Sequence, residues 1–143
     1  MSVAMTVRGE LSAEKLGRVL AHEHLCCDFS LRGGNPDNRM LDWDLIAHEL
    51  SFFKKAGGGT IVEVTPLGMG SDPDALRRIS EASGVPIVHG ISFYHEDTYP
   101  AWVWPASVEK IADFFVREIE EGHNGVRAGL LGEITSHNED LAN

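Results

Sequence analysis

The stretch TIVEVTPLGMGSDPDALRRISEASGVPIVHGISFY, residues 60–94, combines two kinds of sequence pattern. It begins and ends with apolar runs rich in β-branched residues, which are typical of strands buried on both faces. Between them, Asp72 and Pro73 form a helix start signal and Gly84 forms a stop signal. Two strands joined by such a helix run parallel with a right-handed crossover. The stretch therefore predicts a βαβ unit.

The same alternation continues on both sides of this unit. Residues 17–25 form an apolar run that predicts an earlier strand, and residues 41–56 have helical periodicity. On the other side, Ser107 begins a helical segment with Val108, Ile111, Phe115 and Ile119 on one stripe, and residues 128–135 predict a further strand. The opening segment MTVRGELS predicts a small strand or hairpin. The chain is thus α/β with four parallel strands and three helices between them.

Two architectures fit this order of elements. An open doubly wound sheet suits the length of 143 residues, whereas a closed (β/α)₈ barrel usually needs about 250. In both architectures, ligands bind at the carboxyl ends of the strands. Polar residues at those ends are therefore the candidate site residues.

Composition and charge limit the class of protein. Residues 1–143 have the apolar and charged content of a single globular domain. Twenty-two acidic against twelve basic residues give a net charge of −10, which disfavours binding to nucleic acid or to an anionic membrane. No segment has the pattern of a signal peptide or a membrane span. The two cysteines, Cys26 and Cys27, are adjacent and cannot link distant segments, so we expect a cytoplasmic protein.

His22 and His24 form a His-x-His motif at the end of the first predicted strand. Side chains alternate across a strand, so both imidazoles point to one face with their Cα atoms roughly 6.5 Å apart. One divalent metal ion can bind both rings at that spacing. The alternative is a pair of hydrogen-bonded histidines at a strand end, because the motif alone has low specificity.

Two acidic residues lie in apolar strands and need partners. Glu133, near the end of the fourth strand, occupies a position corresponding to that of the His-x-His motif in the first. It either joins the histidines at a metal or forms a salt bridge with Arg18. Glu63 lies deeper in its strand, where pairing with Arg18 or support of a metal ligand is expected.

The remaining histidines and the cysteines are weaker candidates. His89 lies in mid-strand and is expected to be a hydrogen-bonded core residue. His95 and His137 fall in loops at the rim, where exposure to water is the favoured interpretation over metal binding. Only one of the two cysteines could face a metal held by the His-x-His motif, which makes thiolate ligation a minor alternative.

Three segments together resemble a known family. LGRVLAHEHL, GGGTIVEVTPLGMGSDPDALRRISEASGVPIV and GVRAGLLGEIT are similar, in order and at natural spacing, to the first half of the phosphotriesterase family within the amidohydrolase superfamily. The resemblance runs from about residue 7 to residue 135. It implies parallel βα units of a TIM (β/α)₈ barrel, truncated after strand four to a half barrel.

The resemblance also implies a site and an activity. Family members hold two divalent metals, usually zinc, and a hydroxide between them attacks phosphorus or an ester or lactone carbonyl. By this resemblance, His22 and His24 bind one metal, Glu133 bridges to the second, and Tyr94 lines the substrate pocket, unless Tyr94 merely packs at the rim. Histidine and carboxylate ligands also accommodate manganese, cobalt and iron.

This sequence departs from the family in two places. Members often have Gly-Arg-Asp after the second strand, where this chain has Gly70, Ser71 and Asp72. The family's later ligands come from strands five, six and eight, whereas this chain ends at Asn143. The first functional hypothesis is therefore the amino-terminal part of a zinc-dependent hydrolase of small esters or lactones, incomplete as it stands. The second is a non-catalytic metal-binding or structural module that pairs with itself or with a complementary half.

Overall fold

A computed structural model describes residues 2–135, so His137 lies outside the described residues. The strands are β1 (Val3–Thr6), β2 (Gly9–Ser12), β3 (Arg18–Glu23), β4 (Cys27–Asp28), β5 (Arg39–Met40), β6 (Gly58–Glu63), β7 (Ile87–Ile91) and β8 (Leu130–Leu131). The α-helices are α1 (Ser30–Gly33), α2 (Trp43–Lys55), α3 (Pro73–Ser83) and α4 (Val108–Glu120). Two 3₁₀ turns occur at Ala13–Lys15 and Glu96–Thr98.

The main sheet has four strands in the order β3-β6-β7-β8, and every neighbouring pair is parallel. Spatial order therefore follows chain order, and each new strand is added on the same side of the last. A doubly wound sheet instead reverses its direction of growth at a switch point. The sheet is the first half of a (β/α)₈ barrel, which confirms the expected fold class.

The helices pack against the sheet through one apolar cluster. Leu76 and Ile79 of α3 are 0 % and 1 % exposed, as their helical spacing predicts. They pack with Leu50 of α2 and with Ile61 and Ile87 of the two central strands. Removal of these side chains from water is the main stabilising contribution to this arrangement.

Local capping sets the helix ends. Asp72 and Asp42 accept hydrogen bonds from the backbone amides of Ala75 and Leu45, at 2.9 and 3.0 Å. Gly84 ends α3 with a φ of 69°, in the left-handed region where glycine is favoured. The helix boundaries therefore lie within about two residues of the predicted ones.

The opening segment forms the predicted hairpin. Strands β1 and β2 are antiparallel, with Thr6 opposite Gly9 at the turn. The amide of Val7 donates to the carbonyl of Ile87 at 2.8 Å, which attaches the hairpin to the start of β7. The hairpin thus lies at the amino end of the main sheet, opposite the end where ligand sites occur.

Two predicted features differ in the structure. The fourth strand is ladder-paired only at Leu130–Leu131 instead of over residues 128–135. The apolar stripe of α4 is not buried: Val108 is 79 % and Ile119 36 % exposed, although Phe115 contacts Phe93 with ring centroids 5.2 Å apart. Apolar spacing determines which residues share a helical face, but it does not determine what covers that face.

Within residues 2–135, β3 and β8 form the two edges of the main sheet. Apolar side chains are exposed along both: Val19 and Leu20 are each 42 % exposed, and Leu131 and Ile134 are 49 % and 68 % exposed. None of the helices in this part of the chain is long and apolar enough to cross a bilayer.

Candidate metal centre

Three predicted ligands converge at the carboxyl end of the sheet. His22 lies in β3 and His24 just beyond it, whereas Glu133 follows β8. These strands are at opposite edges, and three strand spacings would separate them by about 14 Å in a flat sheet. Nevertheless, Nε2 of His22 lies 2.5 Å from Oε2 of Glu133. The sheet is therefore curled, as in a barrel wall, and the curl assembles the cluster.

The geometry and chemistry of the cluster fit a divalent metal ion. Each of the three side chains offers one ligand atom, and these atoms all lie within 4.8 Å of one another. Two donors on a shared tetrahedral zinc ion, with bonds of about 2.1 Å, are about 3.4 Å apart. Two imidazoles and a carboxylate form a donor set that zinc accepts. The structure thus contains a candidate metal site at the predicted residues.

The site is open enough to admit a ligand. The side chain of His22 is 59 % exposed and that of Glu133 is 25 % exposed. The rings of His22 and His24 meet edge to face, with centroids 5.5 Å apart. On its other side, the His24 ring meets Phe29 edge to face at 5.3 Å. The inner histidine is thus held by packing, whereas the outer one faces solvent.

His24 has a polar partner that the sequence did not indicate. Its Nδ1 lies 3.0 Å from Oγ1 of Thr65, and the Thr65 hydroxyl donates in turn to Oε1 of Glu63. The same carboxylate oxygen accepts from the amide of Leu25 at 3.3 Å. Thr65 lies at the end of a run of β-branched residues, where a threonine is common in any strand and therefore gives no sign of a functional role.

Pairing with Arg18, one of the two alternatives predicted for each acid, is wrong for both. Arg18 pairs in register with Gly58 at the start of β6, whereas Glu63 is the last residue of that strand. Several residues of extended chain therefore separate the guanidinium from this carboxylate. The partner of Glu133 is His22.

His89 is buried, as expected, but its Nδ1 lacks the hydrogen bond predicted for a core histidine. It is 2 % exposed, and its Nδ1 has no hydrogen-bond partner in the described part of the chain. The nearest acidic atom is Oε2 of Glu63, 3.9 Å away, which is too long for a hydrogen bond. His95 packs edge to face on Tyr94, with ring centroids 4.4 Å apart, and neither belongs to the converging group.

The cysteines are also outside the converging group of described residues. Cys26 is 1 % and Cys27 0 % exposed. Burial, with the nearby charge of Glu63 second, raises the pKa of Cys26 to about 12 and that of Cys27 to about 11. Both are neutral thiols at neutral pH, which disfavours the minor alternative of thiolate ligation.

A cavity of about 390 Å³ opens beside the ligands. Tyr94 lines it together with His24 and Glu133. The rest of the lining includes Phe29, Pro66 and Met69, which the sequence did not single out. All three lie in loops that follow the carboxyl ends of strands. This position is the feature of the sequence that points to a place in the pocket wall.

Comparison with known proteins supports this description. The pattern that defines the Phosphotriesterase family matches residues 2–143. An N-acetyltaurine hydrolase from Salmo salar is 33 % identical over 161 residues, which cover 90 % of this chain and 46 % of that protein. This chain thus spans about half the length of the curated relatives that it matches.

Solved structures give the same result. A resiniferatoxin-binding protein from Rhodobacter sphaeroides superposes with a TM-score of 0.86 at 30 % identity, over 98 % of this chain and 48 % of that one. The phosphotriesterase homology protein from Escherichia coli, complexed with phosphate in its active site, gives a TM-score of 0.78 at 29 % identity. That match covers 83 % of this chain and 42 % of the other. From its sequence and its half-barrel fold, this chain belongs to the phosphotriesterase family.

Proposed function

We propose that this chain supplies the first part of the active site of a metal-dependent hydrolase. His22 and His24 would hold one divalent ion, for which zinc is our assignment, and Glu133 would supply the carboxylate that this ion shares with a second. One observation carries the proposal: ligand atoms from opposite edges of the sheet lie within 4.8 Å of one another. The hydrolase names of the relatives agree with it.

The chemistry follows from the site's own groups. A divalent ion at such a site supplies Lewis acidity and lowers the pKa of water. The imidazoles of His22 and His24 bind as neutral donors, and Glu133 contributes the negative charge that offsets part of the cation's. Phe29 and Met69 make part of the cavity wall apolar, and the phenol of Tyr94 can orient a polar substrate group.

The proposed substrates are small molecules with a hydrolysable carboxyl ester, lactone or phosphotriester bond. A cavity of about 390 Å³ suits a ligand of that size. The N-acetyltaurine hydrolases add an N-acyl amide to the candidate bonds. Attack on any of these bonds places negative charge on an oxygen, which a bound cation stabilises.

We further propose that residues 1–143 form one domain, the amino-terminal part of a longer catalytic unit. The remaining metal ligands would come from the other half of the barrel, because this chain corresponds to about 46 % of its relatives. Two adjacent buried thiols suit a reducing compartment, so the proposed location is the cytoplasm.

The second candidate function is a non-catalytic module that binds metal and pairs with another chain. Exposed Leu20 and Leu131, on the two sheet edges, favour it. Unpaired edges and exposed apolar side chains invite association. A second copy or a complementary half would cover both edges.

Zinc uptake by the purified chain tests the metal assignment. We expect bound zinc by elemental analysis and a rise in melting temperature when zinc is added, because binding to the native state stabilises it. His22→Ala and His24→Ala should lose both effects. His48→Ala is the matched control, since His48 is exposed on α2 and outside the cluster. Equal uptake by all four proteins would contradict the assignment.

Turnover tests completeness separately. We expect the isolated chain to hydrolyse aryl phosphotriesters, aryl esters, lactones and N-acetyltaurine no faster than free zinc does. Turnover above that rate that His22→Ala abolishes would contradict an incomplete site. Light scattering, which measures the molar mass in solution, then distinguishes the two candidate functions. The non-catalytic module should form a stable dimer and show no turnover.

A further inference from the structure

Behind His24 lie two polar side chains, Thr65 and Glu63, joined by a hydrogen bond and ending in a fully buried carboxylate. His24 Nδ1 is 3.0 Å from Thr65 Oγ1, and Thr65 in turn contacts Glu63. Both Thr65 and Glu63 are 0 % exposed. A carboxylate removed from water is costly unless it receives hydrogen bonds, so its place here requires an explanation.

The Glu63 carboxylate determines which groups donate and which accept in the hydrogen bonds from Glu63 through Thr65 to His24. A carboxylate only accepts, so the hydroxyl hydrogen of Thr65 points to Oε1 of Glu63. The Thr65 oxygen is then left as an acceptor towards His24, and the partner nitrogen must carry a hydrogen. In a neutral imidazole this places the proton on Nδ1 and leaves the lone pair on Nε2.

The Glu63 carboxylate is itself held in place by a hydrogen bond from the backbone next to His24. Its Oε1 accepts from the amide of Leu25, the residue that follows His24, at 3.3 Å. The carboxylate therefore fixes the backbone next to the histidine as well as the orientation of the ring. Its Oε2 has no hydrogen-bond partner in the described part of the chain and lies 3.9 Å from Nδ1 of His89, so both hydrogen bonds described here for Glu63 are accepted by Oε1.

We propose that Thr65 and Glu63 are positioning residues that hold His24 as the Nδ1–H tautomer with Nε2 turned towards the metal. This inference rests on the proposed metal site. Residues that orient a metal-bound histidine typically contribute 10–100-fold to metal affinity. Loss of the Thr65 hydroxyl should therefore weaken zinc binding although no ligand is removed.

The tautomer is measured on the metal-free chain by long-range ¹H–¹⁵N correlation NMR at pH 8. We expect His24 to be the Nδ1–H form in the wild type and in Thr65→Ser, which keeps the hydroxyl. Thr65→Val should shift His24 towards the Nε2–H form that dominates in free imidazole side chains. A wild-type His24 in the Nε2–H form overturns the proposal.

Zinc affinity by chelator competition is the second readout. We expect Thr65→Val and Glu63→Gln to weaken binding by about 10–100-fold and Thr65→Ser to restore most of it. Thr60→Val is the matched control, because Thr60 is a buried threonine of β6 whose hydroxyl donates to the Leu16 carbonyl at the other end of the strand. Circular dichroism identifies any variant that fails to fold, and the NMR result on the wild type stands without the variants.

The zinc affinities of the variants distinguish a wrong positioning role from a wrong metal site. If Thr65→Val and Glu63→Gln bind zinc within twofold of the wild type while His24→Ala does not bind, the positioning role is wrong and the metal site stands. If His24→Ala binds zinc as the wild type does, the proposed metal site is wrong, and the positioning role falls with it.

Discussion

Nε2 of His22 lies 2.5 Å from Oε2 of Glu133, although the two residues belong to opposite edges of the sheet. The contact joins a side chain that is 59 % exposed to one that is 25 % exposed. Exposed pairs of this kind contribute little to stability, about 0–1 kcal/mol. Most of the stability instead comes from the apolar cluster between the helices and the sheet, so the pair is available to bind a ligand.

Replacement of Glu133 should therefore separate metal affinity from stability. We expect Glu133→Gln to lower zinc affinity by about tenfold or more, because the ligand oxygen loses its charge, while the free energy of unfolding changes by less than about 1 kcal/mol. Chelator competition and urea denaturation measure the two quantities. Glu81→Gln, on the exposed face of α3, removes the same charge elsewhere and should leave zinc affinity unchanged. A parallel fall in affinity and stability in Glu133→Gln would indicate a structural role.

Gly90 of β7 lets the fourth strand approach closely. A Cβ atom at this position would lie 2.6 Å from the carbonyl oxygen of Gly132, the residue before Glu133. Gly90→Ala should push this segment outwards and displace the carboxylate. We expect weaker zinc binding although all three ligands remain, with a loss of stability of about 1–3 kcal/mol from overpacking. Unchanged zinc affinity in a folded Gly90→Ala protein would mean that the close approach of Gly90 to Gly132 does not set the position of the Glu133 ligand atom.

Sequence patterns predict the elements well because their determinants are local. The Asp72 cap contacts an amide three residues away, and Leu76 and Ile79 share a face through helical spacing alone. The order of strands, in contrast, is compatible with two architectures on sequence pattern alone. That choice depends on which edge receives each new strand, a relation between residues far apart in the chain, and the family resemblance had to supply it.

The sequence predicts which three residues converge at the candidate site, but it does not predict the hydrogen-bond network behind them. The sequence identifies Glu63 as a buried acid that either pairs with Arg18 or supports a metal ligand, and Arg18 lies at the other end of the strand pair. Register would have excluded it, because Glu63 is opposite Glu23. The true partner, Thr65, carries no charge, and its role is visible only when the side chains are in place.

Burial in the cluster between the helices and the sheet should dominate the stability of this half barrel. Leu76 is 0 % exposed, and we expect Leu76→Ala to lower the free energy of unfolding by about 2–5 kcal/mol, the cost of a lost apolar contact plus a cavity. Leu45→Ala is the control, because Leu45 is 55 % exposed on α2 and its truncation should cost about 0.5 kcal/mol or less. Urea denaturation measures both. Similar losses in the two variants would contradict the assignment of the core.

The buried thiol of Cys26 should make the protein sensitive to alkali. Burial, with the charges of Glu63 and Asp72, raises its pKa from the ordinary value of 9.0 to about 12. The folded state then keeps a proton that the unfolded state loses. Its contribution to stability is therefore complete below about pH 9 and is lost as the pH rises from 9 towards 12, at up to about 1.4 kcal/mol per pH unit.

Comparison of the wild type with Cys26→Ala isolates this effect. The variant loses packing at every pH, but it lacks the titrating group, so its unfolding free energy should fall less steeply between pH 8 and pH 10.5. Cys27 stays in both proteins and contributes the same slope to each. Urea denaturation at a series of pH values measures the difference, and parallel pH profiles would mean that the Cys26 thiol ionises as readily in the folded state as in the unfolded one.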